Sequence, residues 1–234
     1  MHGTGTSSRY FEAAGDVLGR FGRVTAADRP GWGLSPAPED YRRTSVAEQA
    51  TALAPFLSAG AETVIVGEGL GGVVGLEIAL SMPGEVGPVA MIDPPVFGLL
   101  TDATPGVSTD TERIREAVER DGPAAAYELF LTGGLPTLGA GAERLGELAD
   151  HGPGSARTFL VEIPAVSAWP LDPDRFRRLR VPVLLLSTAD SPSLLRRAAD
   201  SLVDRIPDAT RHDLTEVGPS AAAGALSLLA LDGE

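Results

Sequence analysis

The sequence has no cysteine, no lysine and only three histidines in 234 residues. Without cysteine there is no disulfide framework and no thiol nucleophile, and the cytoplasm is the expected compartment. His2, His151 and His212 are too far apart in the chain to suggest a histidine-rich metal site, so neither metal nor cofactor is expected. Long apolar runs are missing too: none approaches the roughly 18 residues a membrane helix needs. No basic-then-apolar leader opens the chain. Cationic charge is scarce, with 19 basic against 32 acidic residues and a formal charge of −13. That balance opposes nucleic-acid and anionic-membrane binding. All the basic residues are arginine, and alanine, glycine and proline abound, the coding habit of a high-GC bacterium.

What is present suits a globular protein: 43% hydrophobic and 22% charged residues. The length allows one large α/β domain or two small ones. The organising stretch is Glu62 to Met82. Thr63 to Val66 reads as a strand buried on both faces. Gly67, Gly69, Gly71 and Gly72 follow at once, and Val73 to Leu80 reads as an apolar helix stopped at Pro83-Gly84. Such a turn aims helix amides at whatever sits above it. It fits two devices. A nucleophile elbow, G-x-S-x-G, would put Gly69 in the serine's place. A dinucleotide fingerprint, G-x-G-x-x-G, is met by Gly67, Gly69 and Gly72, with Asp93 standing 21 residues after Gly72.

Around this unit the pattern predicts a helix over 9–21, a strand over 22–27, and a helix from Ser45 to Ser58 with Ser45 and Glu48 as a capping box. Further strands are expected at 89–92, 181–187 and about 210–214. Between 99 and 169 the pattern turns to helices alone, with Thr109 and Glu112 at capping-box spacing. Helices are also expected over about 193–206 and 221–231. Alternating strands and helices imply a parallel sheet flanked by helices. A core of 1–98 and 170–234 with a helical cap of 99–169 is expected.

Several motifs in order resemble the α/β-hydrolase family. His2-Gly3-Thr4-Gly5 looks like its oxyanion loop, and Asp28-Arg29-Pro30-Gly31-Trp32-Gly33-Leu34-Ser35 like its D-x-x-G-x-G-x-S turn. The elbow follows, then Asp93-Pro94-Pro95, similar to the family's E/D-P-P. Asp190 stands where the triad acid commonly lies. Two departures matter: the nucleophile's place holds Gly69, and the histidine's place, within Glu216-Val217-Gly218-Pro219, holds Pro219. Neither residue can activate water or carry an acyl group. Removing either member of such a triad costs on the order of 10⁶ in kcat. Ordinary serine-hydrolase chemistry is therefore not expected. Glycine would also relieve the elbow's backbone strain of roughly 1–3 kcal/mol.

In the family a strand precedes the oxyanion loop, and here only Met1 stands before His2: either the sequence begins late or the sheet closes the gap. The expectation is that the sheet closes this gap by pairing 22–27 directly with 63–66, giving five parallel strands in sequence order. A cavity lined by Gly3, Thr4, Trp32, Glu68, Gly69, Leu70, Asp93, Tyr127, Trp169 and Asp190 is expected, with amides of Leu70 and the Thr4 loop holding an oxyanion. The chemistry expected is a non-hydrolytic cyclisation, elimination or isomerisation of a small molecule, in bacterial secondary metabolism, with Asp190 and then Glu68 as acid/base, Glu68 second because the residue before the apex tends to point away from the cavity. The alternatives are an inactive pseudo-hydrolase that binds or scaffolds, and a dinucleotide-dependent oxidoreductase. A small-molecule ligand is the expected partner, and a homodimer is allowed.

Overall fold

Short apolar runs next to prolines, VAMI and VLLLS, make the central strands of the sheet. The computed structural model describes residues 1–57 and 63–231. Its strands are β1 (Ile65–Glu68), β2 (Val89–Ile92), β3 (Val183–Ser187) and β4 (Ala209–Asp213). All pair in parallel, in the order β1-β2-β3-β4. β2 and β3 are buried along their whole length, which is why both read as unbroken apolar runs. The register sets Glu68 beside Ile92 and Ile92 beside Leu186. Gly69, Asp93 and Thr188 therefore emerge close together at one end of the sheet.

The helices are α1 (Gly15–Leu18), α2 (Val46–Leu53), α3 (Leu70–Ser81), α4 (Thr104–Asp121) and α5 (Pro123–Leu131). They continue with α6 (Ser155–Ser167), α7 (Pro173–Phe176), α8 (Ser193–Val203) and α9 (Ala221–Leu231). α3 is apolar all round because it is buried all round, with ten of its twelve residues enclosed. Its Gly75 lets it settle onto Ile65 of β1, where a Cβ would stand 2.7 Å from Ile65 Cγ2. α2 begins as its sequence says: Ser45 Oγ accepts from Glu48 N–H, and Ser45 N–H donates to Glu48 Oε2 at 2.7 Å. It ends at Leu53, a 3-10 turn follows, and Ser58 lies outside the described residues.

Three local expectations fail. The 9–21 segment is a 3-10 stretch, Ser8–Ala14, followed by the single turn α1. Thr109 caps nothing; it sits inside α4, where its hydroxyl donates to Pro105 O at 2.9 Å. The third bears on the site. Residues 22–27 form no strand, so the sheet has four strands among the described residues rather than five. Residues 22–26 are exposed and offer no buried face to reward pairing. Met1 instead bonds the outer edge of β1, its amine donating to Val66 O at 2.6 Å and its carbonyl accepting from Glu68 N–H at 3.1 Å. A groove of about 620 Å³, lined by Val24, Thr25, Val64 and Val66 among others, lies where direct pairing was expected.

The main core packs α2, α3 and α8 against the sheet, centred on Val73, Leu76, Ile78, Met91 and Leu185. A second cluster gathers α4, α5 and α6 around Trp32, Tyr127, Phe130 and Phe159. Their rings lie 5.0 to 6.3 Å apart. The helices that carry this cluster lie within 99–169, above the end of the sheet where the loops converge.

Candidate functional site

The site is built on the turn from β1 to α3. Gly69 has φ 55° and ψ −126°, a left-handed conformation at the apex of a strand-to-helix turn. A side chain with a Cβ is disfavoured there by its backbone angles and not by space, since the nearest atom to an added Cβ is Gly3 Cα at 3.6 Å. The neighbouring glycines have a different reason. A Cβ on Gly67 would overlap the Gly71–Gly72 backbone, and one on Gly71 would overlap the carbonyls of Met1 and His2. The amino-terminal loop therefore lies directly on this turn, covering the backbone that a dinucleotide phosphate would need. Asp93, the acid that reading assigned to a ribose, is held instead by Ser191 and Arg144.

The loop is held down by His2, which is fully buried. His2 Nε2 accepts from Arg29 N–H at 2.9 Å, and Nδ1 faces Gly3 O at 2.9 Å. Burial and the nearby Arg29 push its pKa well below the ordinary value, so it is a neutral strut. Arg29 donates onward to His2 O, to Gln49 Oε1 and to Glu162 Oε1 of α6. Glu162, also fully buried, takes a further bond at Oε2 from Thr4 Oγ1 at 3.1 Å. The 28–35 turn is closed by Asp28, whose carboxylate accepts from the N–H groups of Ser8 and Leu34. Tyr127 OH reaches Gly5 O and Asp150 O. Buried polar bonds thus lock three distant segments into one rigid floor.

Above that floor is a cavity of about 270 Å³. Its walls are largely apolar, with Leu70, Phe97, Val107, Phe130, Leu138 and Ile163 prominent, and its charged lining residues are Glu68, Asp93, Arg144 and Glu162. Glu68 is the one to note. Its side chain turns toward the cavity and rests on the oxyanion-like loop, so close that a Cβ on Gly3 would overlap Oε2. Burial, and after it the negative charge of Asp93, push its carboxyl up to about 7. The N–H of Gly3 faces the carboxylate and, with Arg144 and Arg29, opposes that rise. The residue before an elbow's apex was expected to face away, and here it does not.

Asp93 ends β2 with φ 50°, uncommon for a residue with a Cβ. Ser191 Oγ donates to its carboxylate at 2.6 Å, and Arg144 Nη2 at 3.0 Å. Burial raises its pKa, and those two bonds oppose the rise. Arg144 also donates to Asp190 Oδ1 at 3.1 Å and to Gly141 O at 3.1 Å. Asp190 itself stands outside the cavity wall, its side chain 44% exposed. Burial raises its pKa slightly, but the Thr188 hydroxyl and Arg144 outweigh this and hold it below the ordinary value. Of the two carboxylates considered for proton transfer, the one at the cavity with a pKa near neutrality is Glu68.

Thr4, Glu68, Gly69, Leu70 and Asp93 line the cavity, and Gly3 lies directly behind Glu68. Trp32 and Tyr127 do not line it; they are buried in the aromatic cluster behind it. Trp169 is farther off, its indole N–H donating to Glu77 Oε2 of α3 at 2.7 Å, where Arg175 completes the buried charge. Pro219 lies in a 3-10 turn that packs on the Ser8–Ala14 segment. His212 is half-buried in β4, and His151 is exposed. Arg144 and Glu162 carried no motif. Glu162 left one trace, a single acid inside the apolar run Phe159 to Val166, which must find a cation when buried.

Comparisons agree with this geometry. The sequence profile of the alpha/beta hydrolase family matches residues 1–221. A hydrolase from Pseudomonas aeruginosa PA01 shares 20% identity over 100% of this chain and 88% of its own, with a TM-score of 0.68. A thermophilic esterase from Thermogutta terrifontis shares 18% over 99% and 86%, with a TM-score of 0.68. The enol-lactonase from Burkholderia xenovorans LB400 shares 17% over 100% and 89%, with a TM-score of 0.66. At such identities the likeness is one of fold. With the profile spanning nearly the whole sequence, over a parallel sheet and a strand–turn–helix apex of the same kind, the chain belongs to the alpha/beta hydrolase family.

Proposed function

We propose that this family member binds a small molecule beneath a helical cap, residues 99–169, and transforms it without an acyl-enzyme. Glu68 does the proton transfer. The observation that carries the reading is the Glu68 carboxyl, pushed up to about 7 at the cavity, beside an apex where Gly69 offers no hydroxyl. A group poised near the working pH accepts and returns protons with little free-energy cost either way. In the step envisaged, the Glu68 carboxylate takes a proton from a carbon next to a carbonyl. The electron pair moves to the carbonyl oxygen, which the N–H of Leu70, first in α3 and unused within the helix, stabilises. Return of the proton to another atom completes an isomerisation; loss of a leaving group from the adjacent carbon completes an elimination. Both are redox-neutral. Gly69 in the serine's place and Pro219 in the histidine's place support the absence of ordinary hydrolysis.

The setting consistent with this reading is bacterial secondary metabolism, in the cytoplasm. A pure scaffold is less well supported, because the cavity stays open instead of collapsing onto Trp32 and Trp169. The test is deuterium incorporation, followed by NMR, at carbons beside the carbonyl in a panel of cyclic ketones and lactones, for the wild type and Glu68→Gln. Exchange that depends on Glu68 is expected, with no mass adduct from a fluorophosphonate or a p-nitrophenyl ester. An acyl adduct formed at ordinary enzymatic speed sinks the reading.

A further inference from the structure

The charges around the cavity are unevenly matched. Glu162 has Arg29, Gln49 and Thr4. Asp93 has Arg144 and Ser191. Glu68 alone among the cavity carboxylates has neither an arginine nor a hydroxyl within bonding distance among the described residues; the backbone N–H of Gly3 faces it. Arg144, the nearby cation, is engaged by Asp93, Asp190, Thr188 and Gly141. An ionised carboxylate at an apolar cavity is costly unless a cation meets it, and the nearest guanidiniums, Arg144 and Arg29, act on Glu68 only from beyond pairing distance while held by other partners. There is room for one. Position 69, next to Glu68 on the cavity lining, carries no side chain, and outside its two adjoining residues the nearest atom to an added Cβ is Gly3 Cα at 3.6 Å.

We propose that the cavity selects compounds bearing a basic nitrogen on an apolar body, the ammonium seated on Glu68 at the Gly69 end and the body between Leu70, Phe130 and Ile163. This names a ligand class for the cavity described above and rests on that reading of its lining; while an ammonium sits on Glu68 the carboxylate is its anchor and not a base. The net formal charge of −13 favours the approach of such a cation. An anionic ligand would meet Glu68, Asp93 and Asp190 with one arginine already shared, so it is disfavoured. A neutral isostere fills the same walls and leaves the carboxylate unmatched. The groups whose charges bear on Glu68 are Asp93, Arg144, Arg29, the Tyr10 hydroxyl and the Met1 amine. Burial and Arg29 lower the Met1 amine to about 5, and burial raises the Tyr10 hydroxyl, so both are neutral near pH 7. Glu68 itself loses its proton around pH 7 and is the group that turns the cavity anionic.

The test uses benzylamine, benzyl alcohol and benzoate as matched probes of one shape, with binding measured by titration calorimetry and ligand-observed NMR. At about pH 8 benzylamine is expected to bind about tenfold or more tightly than benzyl alcohol, as a charge-assisted hydrogen bond supplies. Benzoate should bind worst. The amine's advantage should fade as pH drops below about 7, where Glu68 takes up its proton, while benzyl alcohol stays flat. In Glu68→Gln the amine should lose its advantage and benzyl alcohol should keep its affinity. Equal affinity for amine and alcohol in the wild type, or an advantage that survives in Glu68→Gln, overturns the proposal. The pH series on the wild type stands even where the variant folds poorly. Selective amine binding without proton exchange would retain this inference and remove the proposed turnover; exchange without amine selectivity would do the reverse.

Discussion

Replacing Glu68 with glutamine should make the protein more stable at neutral and alkaline pH, and not below about pH 4.5. Folding buries this carboxyl at the cavity floor and moves its pKa from an ordinary 4.5 to about 7. The folded state therefore holds a proton that the unfolded chain releases. For a carboxyl with a raised folded pKa, stability is greatest below about pH 4.5, falls as pH rises toward 7, and stays low above that. A rise of that size corresponds to roughly 3 kcal/mol at full expression, at about 1.36 kcal/mol per pKa unit. Opening of Glu68 to water in the cavity reduces this, so a gain of about 1–3 kcal/mol for Glu68→Gln at about pH 8 is expected, against nearly none at about pH 4. Glutamine keeps an oxygen for the Gly3 N–H, so the comparison isolates the charge. Urea unfolding at both pH values, read by tryptophan fluorescence, measures the difference. Parallel stability profiles for the two proteins across this range would refute the burial argument, and with it the role given to Glu68.

Other substitutions test other parts. Gly69→Ala should cost about 1–3 kcal/mol through backbone strain alone, because space for the methyl is available; no loss in urea unfolding would mean the apex relaxes. Gly69→Ser should cost a similar amount and confer no turnover of p-nitrophenyl esters, since Pro219 supplies no base. Glu162→Ala leaves Arg29 buried without its anion and should destabilise by about 3–5 kcal/mol, measurable by urea melt. Trp169→Ala should cost about 3–5 kcal/mol as a core truncation while leaving probe binding at the cavity unchanged, because Trp169 does not line it; altered binding would restore it to the site.

Why Glu68 escaped its expected orientation is a matter of neighbours. Read along the chain it is the residue before an apex, and nothing local says which way it turns. The amino-terminal loop, pinned by His2 and Arg29, lies over the turn and leaves the Gly3 N–H facing the Glu68 carboxyl. Arg144 illustrates the same point from the other side. It comes from the helical stretch far along the sequence, has no motif around it, and becomes the counter-ion of Asp93 because folding lowers that stretch over the end of β2.

The sequence by itself determined the parallel sheet, because runs such as Val183 to Ser187 are apolar without interruption and can be satisfied only between two covered faces. It also determined the elbow, whose glycines are demanded by backbone angle at 69 and by close approach at 67 and 71, and the family, through motifs spaced along the whole chain. Tertiary structure alone decided that 22–27 is no strand, since pairing depends on what a segment can bury and not on its β-branched content. It alone decided which aromatic residues face the cavity, as Trp32, Tyr127 and Trp169 each found a better enclosure elsewhere. It alone decided which carboxylate stands unmatched, because charge balance is a property of neighbours in space, and sequence distance carries no record of them.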